Sequence, residues 1–491
     1  MTRSPATRAV LVLTVAAAVF CGVVLLGHSN GAVGGSDSAG YANTARDIAA
    51  GRIVVPIEGL SRLDLDAGWA PVFIPLAHEP GPTPGTMVPF YPPGFPLHLA
   101  LAAAVTGWPA ALSAASPIAA LLCLCLTFVL GRELGLSRPL SAAGAAILGG
   151  WVIFLFHAVH PMSDVTAALW TTASFVAALK ARRRAGWAAA AGAAFGIAVL
   201  VRPTNGLLVL PLAFALPWEP RVFALFVAGG LPCAGFEAAW NRAAFGSALK
   251  TGYSHLFAGE FAFANFGARF AHYGEELAME LSPLVPLGWL AAGADRRVPA
   301  RDRVVLVLWF AAVFLFYCFW GPADSWTYGR YMLPAAPPLV VGFLLSLRAL
   351  SERIVLPARR VAAVGAALAV VFLCERLAER RRHPLEAPRG SLVFPDACRA
   401  VGERARGAVP LVVSMEFSAA LRYYTDAVPV RWDWITPDQF ALLRARAAQR
   451  GLPVYAVLLP HEVPQALPHV PGPWVFLGNV RQAALWELPP P

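Results

Sequence analysis

A few side chains in this sequence stand where hydrophobic runs begin or end and carry groups able to move protons or hold anions. Asp37 follows the first apolar run in Gly35-Ser36-Asp37-Ser38, and His157, His160 and Asp164 cluster in His157-Ala158-Val159-His160-Pro161-Met162-Ser163-Asp164. Arg202 lies in Val201-Arg202-Pro203 and Arg330 in Tyr328-Gly329-Arg330-Tyr331, again at the ends of apolar runs. Burying ionisable groups beside a membrane is costly, so each is a candidate for function. A carboxylate pair with arginines at one membrane face suits removal of a proton from a hydroxyl near an anionic, lipid-linked phosphate.

The elements that must position these groups follow from composition. Of 491 residues, 57% are hydrophobic and only 14% charged, where a soluble protein carries about a quarter charged residues. The chain is therefore read as an integral membrane protein, and disorder is excluded by the same abundance of apolar residues. Apolar runs at 10–27, 112–131, 139–156, 164–180, 187–201, 206–217, 222–240, 282–294, 304–320, 332–349 and 361–374 predict eleven transmembrane helices, with a further run at 93–107. The first run follows Arg3 and Arg8 and lacks a small-residue cleavage site, which predicts an uncleaved helix with a cytoplasmic N-terminus.

Charge settles the run 93–107. If it does not cross, the inner connections and N-terminus carry 17 Lys and Arg against 8 in the outer loops, as the positive-inside rule requires; if it crosses, the bias inverts. It is read as a helix returning to the outer interface. The formal charge of +10 is thus accounted for by topology, and nucleic acid is not an expected partner. Six of the seven cysteines lie in apolar runs, so no disulfide framework or metal site follows.

Two outer segments are long. In the first, Tyr41, Ala45, Ile48 and Ala49 make an apolar stripe that predicts a surface helix started by Ser36 or Asp37 and stopped by Gly51. Nine prolines between 71 and 96 forbid a long helix there, and then start one after Tyr91-Pro92-Pro93-Gly94-Phe95-Pro96. The second, 241–281, is rich in Phe and Tyr and predicts interfacial partial helices. Beyond the charged stretch 375–383, extended runs at 409–415, 427–432, 453–460 and 474–477 alternate with helical ones at 395–405 and 437–449. The expected architecture is an all-α polytopic bundle over 1–375 and a small α/β domain over 376–491 on the extracytoplasmic side.

The order of these motifs resembles the polytopic GT-C glycosyltransferases. It runs from Gly-x-Asp37-Ser-x-x-Tyr41 through Tyr91-Pro92-Pro93-Gly-x-Pro96 and Pro161-Met-Ser-Asp164 to Arg202-Pro203 and Tyr328-Gly329-Arg330-Tyr331. Within that superfamily it is similar to bacterial relatives of protein O-mannosyltransferases and of the aminoarabinose transferase, over about residues 10–375. The resemblance implies an inverting transfer of a sugar from a polyprenyl-phosphate donor, on the extracytoplasmic face of an inner or plasma membrane. It implies Asp37 as the base that deprotonates the acceptor hydroxyl and Asp164 as the second-loop acid. Arg202 and Arg330 would neutralise the departing phosphate, with Tyr91, Tyr41 and His160 as further substrate contacts. Tyr91 occupies the place of a phosphate-contacting Lys, so that contact is lost or altered here. No cofactor or metal is required; a divalent cation is possible but not favoured.

Each residue also has a plain structural reading. Asp37 and Asp164 can serve as helix caps, His157 and His160 as interface histidines bonded to backbone, and the arginines as snorkelling side chains. The competing function is a transporter or flippase of lipid-linked sugars, which would carry internal repeats and charges near mid-bilayer; neither is evident. The sequence does not name the sugar or the acceptor, which could be glycan, lipid or protein.

Overall fold

The computed structural model describes residues 19–254, 260–291, 295–321, 325–353 and 384–490. The expected crossing 361–374 and the charged stretch 375–383 lie outside these residues, and of the run 10–27 only the helix Val19–His28 is described. The chain folds into two compact units.

The first unit takes in Ser113–Phe236 with the described residues of 1–30 and 255–387. Among the described residues, three helices are long and apolar enough to cross a membrane: Trp108–Glu133, Pro220–Phe245 and Thr327–Arg353. A fourth crossing results if the bent pair Arg138–Gly150 and Val152–Ala158 is one span. Of the other expected runs, 164–180 and 304–320 form the helices Asp164–Ala181 and Ala300–Cys318, of 18 and 19 residues, whose charged ends keep them out of that group, and others form shorter elements such as Trp187–Val201 and the 7-residue helix Leu284–Leu290. The apolar composition and these spans place the chain in a membrane; among the described residues, length and hydropathy support three of the eleven expected crossings, or four with the bent pair.

The bend between Arg138–Gly150 and Val152–Ala158 is 73°. Gly149 and Gly150 weaken the helix before it, and Trp151 takes an extended conformation, φ −66° and ψ 123°. The Trp151 indole then donates to buried Glu280 at 2.5 Å, which satisfies both groups away from water. Nearby, Trp309 stacks on Phe175 with centroids 3.7 Å apart and donates to the Pro334 carbonyl at 2.9 Å. Helices Trp187–Val201 and Pro220–Phe245 approach through small residues: a Cβ on Gly192 would lie 1.8 Å from the Phe226 carbonyl oxygen. Gly192→Val is expected to cost on the order of 1–3 kcal/mol by forcing the pair apart, measurable as a lower midpoint of thermal unfolding in detergent.

The second unit comprises Gly31–Leu112, Glu237–Ser254 and the described residues of 388–491. Its first sheet is antiparallel, ordered β1-β3-β2, from β1 (Val55–Pro56), β2 (His78–Pro80) and β3 (Thr86–Pro89). The second, ordered β5-β4-β6-β8-β7, uses β4 (Leu411–Val413), β5 (Val428–Val430), β6 (Val454–Leu458), β7 (Val475–Val480) and β8 (Ala483–Leu488). Strands β5, β4 and β6 are parallel, and β8 and β7 add antiparallel to them. Helices Ser418–Tyr424 and Pro437–Gln449 make the crossovers, the latter opened by a Thr436–Gln439 capping box.

Strands β4 and β6 are buried along their whole length, as expected for parallel strands covered on both faces. Leu411 and Val413 face a core shared with Leu60, Leu63 and Phe73, whereas Val412 faces one built by Val393, Cys398, Phe417 and Leu421. Residues of the first long segment therefore form part of the covering of the C-terminal sheet.

Candidate active site

Asp37 opens the helix Asp37–Ala49, with Ser36 at the N-cap making no side-chain cap bond. The turn before it is pinned instead by Ser38, whose hydroxyl donates to the Gly34 carbonyl at 2.9 Å and accepts from the Gly34 amide at 3.0 Å. The Asp37 carboxylate accepts a hydrogen bond from the Tyr91 hydroxyl, which also bonds the Ser36 hydroxyl at 2.9 Å. Burial, and then the Asp37 charge, push the Tyr91 phenol well above its ordinary pKa, so it remains a donor through the alkaline range.

Aromatic contacts fix Tyr91. Tyr41 lies 4.7 Å from it, Phe90 5.0 Å and Tyr253 6.4 Å, centroid to centroid. Tyr253 can approach because the residue before it is glycine: a Cβ on Gly252 would sit 2.1 Å from the Phe90 carbonyl oxygen. Tyr91→Phe is expected to lower turnover about 10-fold or more by removing a hydrogen bond to a charged group. An unchanged donor KM alongside the lower kcat is the signature to measure.

In the first unit, Asp164 opens the helix Asp164–Ala181. Its carboxylate is 1% exposed and accepts from Arg202 Nη2 at 2.5 Å on one oxygen, while His157 Nδ1 stands 3.3 Å from the other. Arg202 is placed by its neighbour: a residue before proline avoids the helical region, so the helix Trp187–Val201 stops and Arg202 is extended, φ −149° and ψ 109°. The guanidinium carbons of Arg202 and Arg330 each lie 5.5 Å from the Tyr331 ring, and Tyr331 stacks on Tyr317 at 4.5 Å and 3°. Tyr317 in turn shares a 2.9 Å hydrogen bond with Thr204. These contacts join two guanidiniums and one carboxylate around an aromatic floor, a charge balance that favours an anion.

His160 lies at the edge of this group. It stacks on Phe156 at 4.4 Å and its Nδ1 is 2.7 Å from the Phe156 carbonyl. Burial holds its pKa below the ordinary histidine value. Among the described residues no three His, Cys, Asp or Glu side chains group as metal ligands.

The structure thus places Asp37, Tyr41 and Tyr91 together in one unit, and Asp164, Arg202, Arg330 and His160 in the other. Tyr91, assigned from the motif order to the donor phosphate, is bonded to Asp37. His157, Tyr331 and Tyr317 complete the Asp164 group; of these only His157 was prominent in the sequence, through its spacing from His160. Tyr331 was visible as part of Tyr328-Gly329-Arg330-Tyr331, but nothing in that motif signals a ring in contact with two arginines.

No family model matches the sequence, and no curated protein does. Solved structures do match the fold. ArnT from Cupriavidus metallidurans bound to undecaprenyl phosphate aligns over 97% of this chain and 97% of its own, at 15% identity and a TM-score of 0.57. The oligosaccharyltransferase AglB from Archaeoglobus fulgidus, in complex with an inhibitory peptide and a dolichol-phosphate, aligns over 92% of this chain and 70% of its own, at 13% identity and a TM-score of 0.51. The arabinofuranosyltransferase AftD from Mycobacteria aligns over 97% of this chain, which spans 40% of the AftD chain, at 15% identity and a TM-score of 0.54. At these identities the likeness concerns the fold, and it runs through both the helical part and the C-terminal sheet: the chain has the fold that these solved membrane-protein structures share.

Proposed function

We propose that this chain is a membrane glycosyltransferase that moves a sugar from a polyprenyl-phosphate donor to an acceptor hydroxyl on the extracytoplasmic side. The observation that carries the reading is the end-to-end match to a fold whose solved example holds undecaprenyl phosphate. The Arg202–Arg330–Tyr331 group supports it, because an arginine pair over an aromatic floor suits a phosphate with a lipid tail.

In this mechanism the Asp37 carboxylate takes the proton of the acceptor hydroxyl as its oxygen attacks the anomeric carbon. The bond from that carbon to the phosphate oxygen breaks on the opposite face, which inverts the configuration. The electron pair leaves with the phosphate oxygen, whose developing charge is of the kind that guanidiniums stabilise. Tyr91 holds the base in place through its hydroxyl, and Asp164 holds Arg202. The two guanidiniums supply the cationic charge that the leaving phosphate needs, so no metal is invoked.

The test uses the full chain in lipid nanodiscs with undecaprenyl-phosphate-linked mannose, glucose, arabinose and 4-amino-arabinose. Acceptors come from an envelope extract, and release of undecaprenyl phosphate is followed. Turnover of at least one donor is expected. Movement of a donor across the bilayer with its anomeric bond intact would favour a flippase, and failure to bind or cleave any donor would sink the proposal.

A further inference from the structure

The helix that begins at Asp37 is fixed far from its catalytic end. Its last turn carries Asp47, whose carboxylate is 4% exposed and meets Arg422 Nη2 at 2.8 Å on one oxygen and Arg52 at 3.4 Å on the other. Arg422 belongs to the helix Ser418–Tyr424 of the C-terminal part, and its other terminal nitrogen donates to His78 Nε2 at 2.8 Å. Burial, and then the Arg422 charge, hold the His78 pKa near 3, so its ring stays neutral and keeps a lone pair for Arg422. Two further bonds run along the same seam. Asn43 donates to the Ala419 carbonyl at 2.8 Å, and Arg46 donates to the Tyr423 carbonyl at 2.5 Å while its guanidinium lies 3.6 Å from the Tyr423 ring.

This arrangement matters because a helix of 13 residues has little stability of its own in water and takes its place from what it packs against. At 1.5 Å per residue, Asp47 lies about 15 Å along the axis from Asp37. A tilt of about 4° at the held end therefore moves the Asp37 end by about 1 Å, enough to lower a positioned reaction about 100-fold. The fork of an arginine can reach the carboxylate and the imidazole together; a single ammonium cannot reproduce both bonds in that geometry.

We propose that Arg422 is a positioning residue for this reaction: by joining Asp47 to His78 it fixes the orientation of the helix that presents Asp37. The C-terminal α/β part is then a component of the catalytic machinery. The role rests on Asp37 being the base.

The experiment measures both hydrogen exchange and donor turnover on the full chain in nanodiscs, using the undecaprenyl-phosphate sugar cleaved by the unaltered protein. In Arg422→Gln, exchange of amides 37–49 is expected to quicken about 10-fold or more while the helix Asp164–Ala181 is unchanged. The value of kcat is expected to fall about 100-fold with donor KM held. Arg422→Lys is expected to fall between, and it decides the matter if the Gln variant does not fold. Unaltered exchange and kcat in the folded variants would overturn the proposal, as would a loss shared equally by kcat, KM and the protection of Asp164–Ala181. If the unaltered protein cleaves no donor, the reading of Asp37 as base fails and the positioning role falls with it; exchange then reports only on the clamp's geometry.

Discussion

Asp37→Asn is expected to lower sugar transfer about 10²–10⁴-fold, the range a positioned general base contributes. The substitution keeps size and shape and can still accept from Tyr91, so the Tyr91–Ser36 network survives in outline. What is lost is the basic oxygen. Stability should move little, because Asp37 is only partly buried, a charge in the first turn of a helix is worth about 0.3–1 kcal/mol, and Ser36, not Asp37, stands at the N-cap. Turnover is compared with the unfolding midpoint of the same preparation. Near-normal turnover would move the base elsewhere.

Arg202→Gln is expected to act on stability and chemistry together. Asp164 is 1% exposed and its 2.5 Å partner would be gone; breaking a buried pair from one side costs about 3–5 kcal/mol, since the remaining charge is stranded. Loss of the positive charge on the leaving phosphate is expected to lower kcat about 10²–10³-fold and to weaken binding of undecaprenyl phosphate. Combining Arg202→Gln with Asp164→Asn separates the two effects. The double variant should recover most of the stability and none of the turnover. Recovery of turnover as well would mean that Arg202 serves Asp164 alone.

Much of this architecture was legible because membrane spans announce themselves by length and apolar composition. The run 112–131 is the core of Trp108–Glu133, and 222–240 that of Pro220–Phe245. The bend after Gly150 was not legible: the run 139–156 is uniformly apolar, and the partner that holds Trp151 out of line is Glu280, 129 residues away. In the C-terminal part, β4, β5 and β6 fell inside the expected extended runs. The helix Ser418–Tyr424 was missed because it has 7 residues and no side-chain cap, and strand β8 because its Ala, Leu and Glu are helix-favouring residues. The site shows the same division. Arg202 could be placed at a helix end from the proline that follows it. The hydrogen bond from Tyr91 to Asp37 spans 54 residues and the Arg422 bond to His78 spans 344. Spacing along the chain carries no information about either.

The pairing of Asp47 with Arg422 across 375 residues has a consequence for biogenesis. At about 5–20 residues per second, a ribosome adds the later partner roughly 20–75 seconds after it has added the earlier one. During that interval the Asp37 segment lacks Arg422, Ala419 and Tyr423, the groups it finally rests on. The helix Asp37–Ala49 therefore reaches its final contacts only after the chain has been made through Tyr423, well after the first apolar segments.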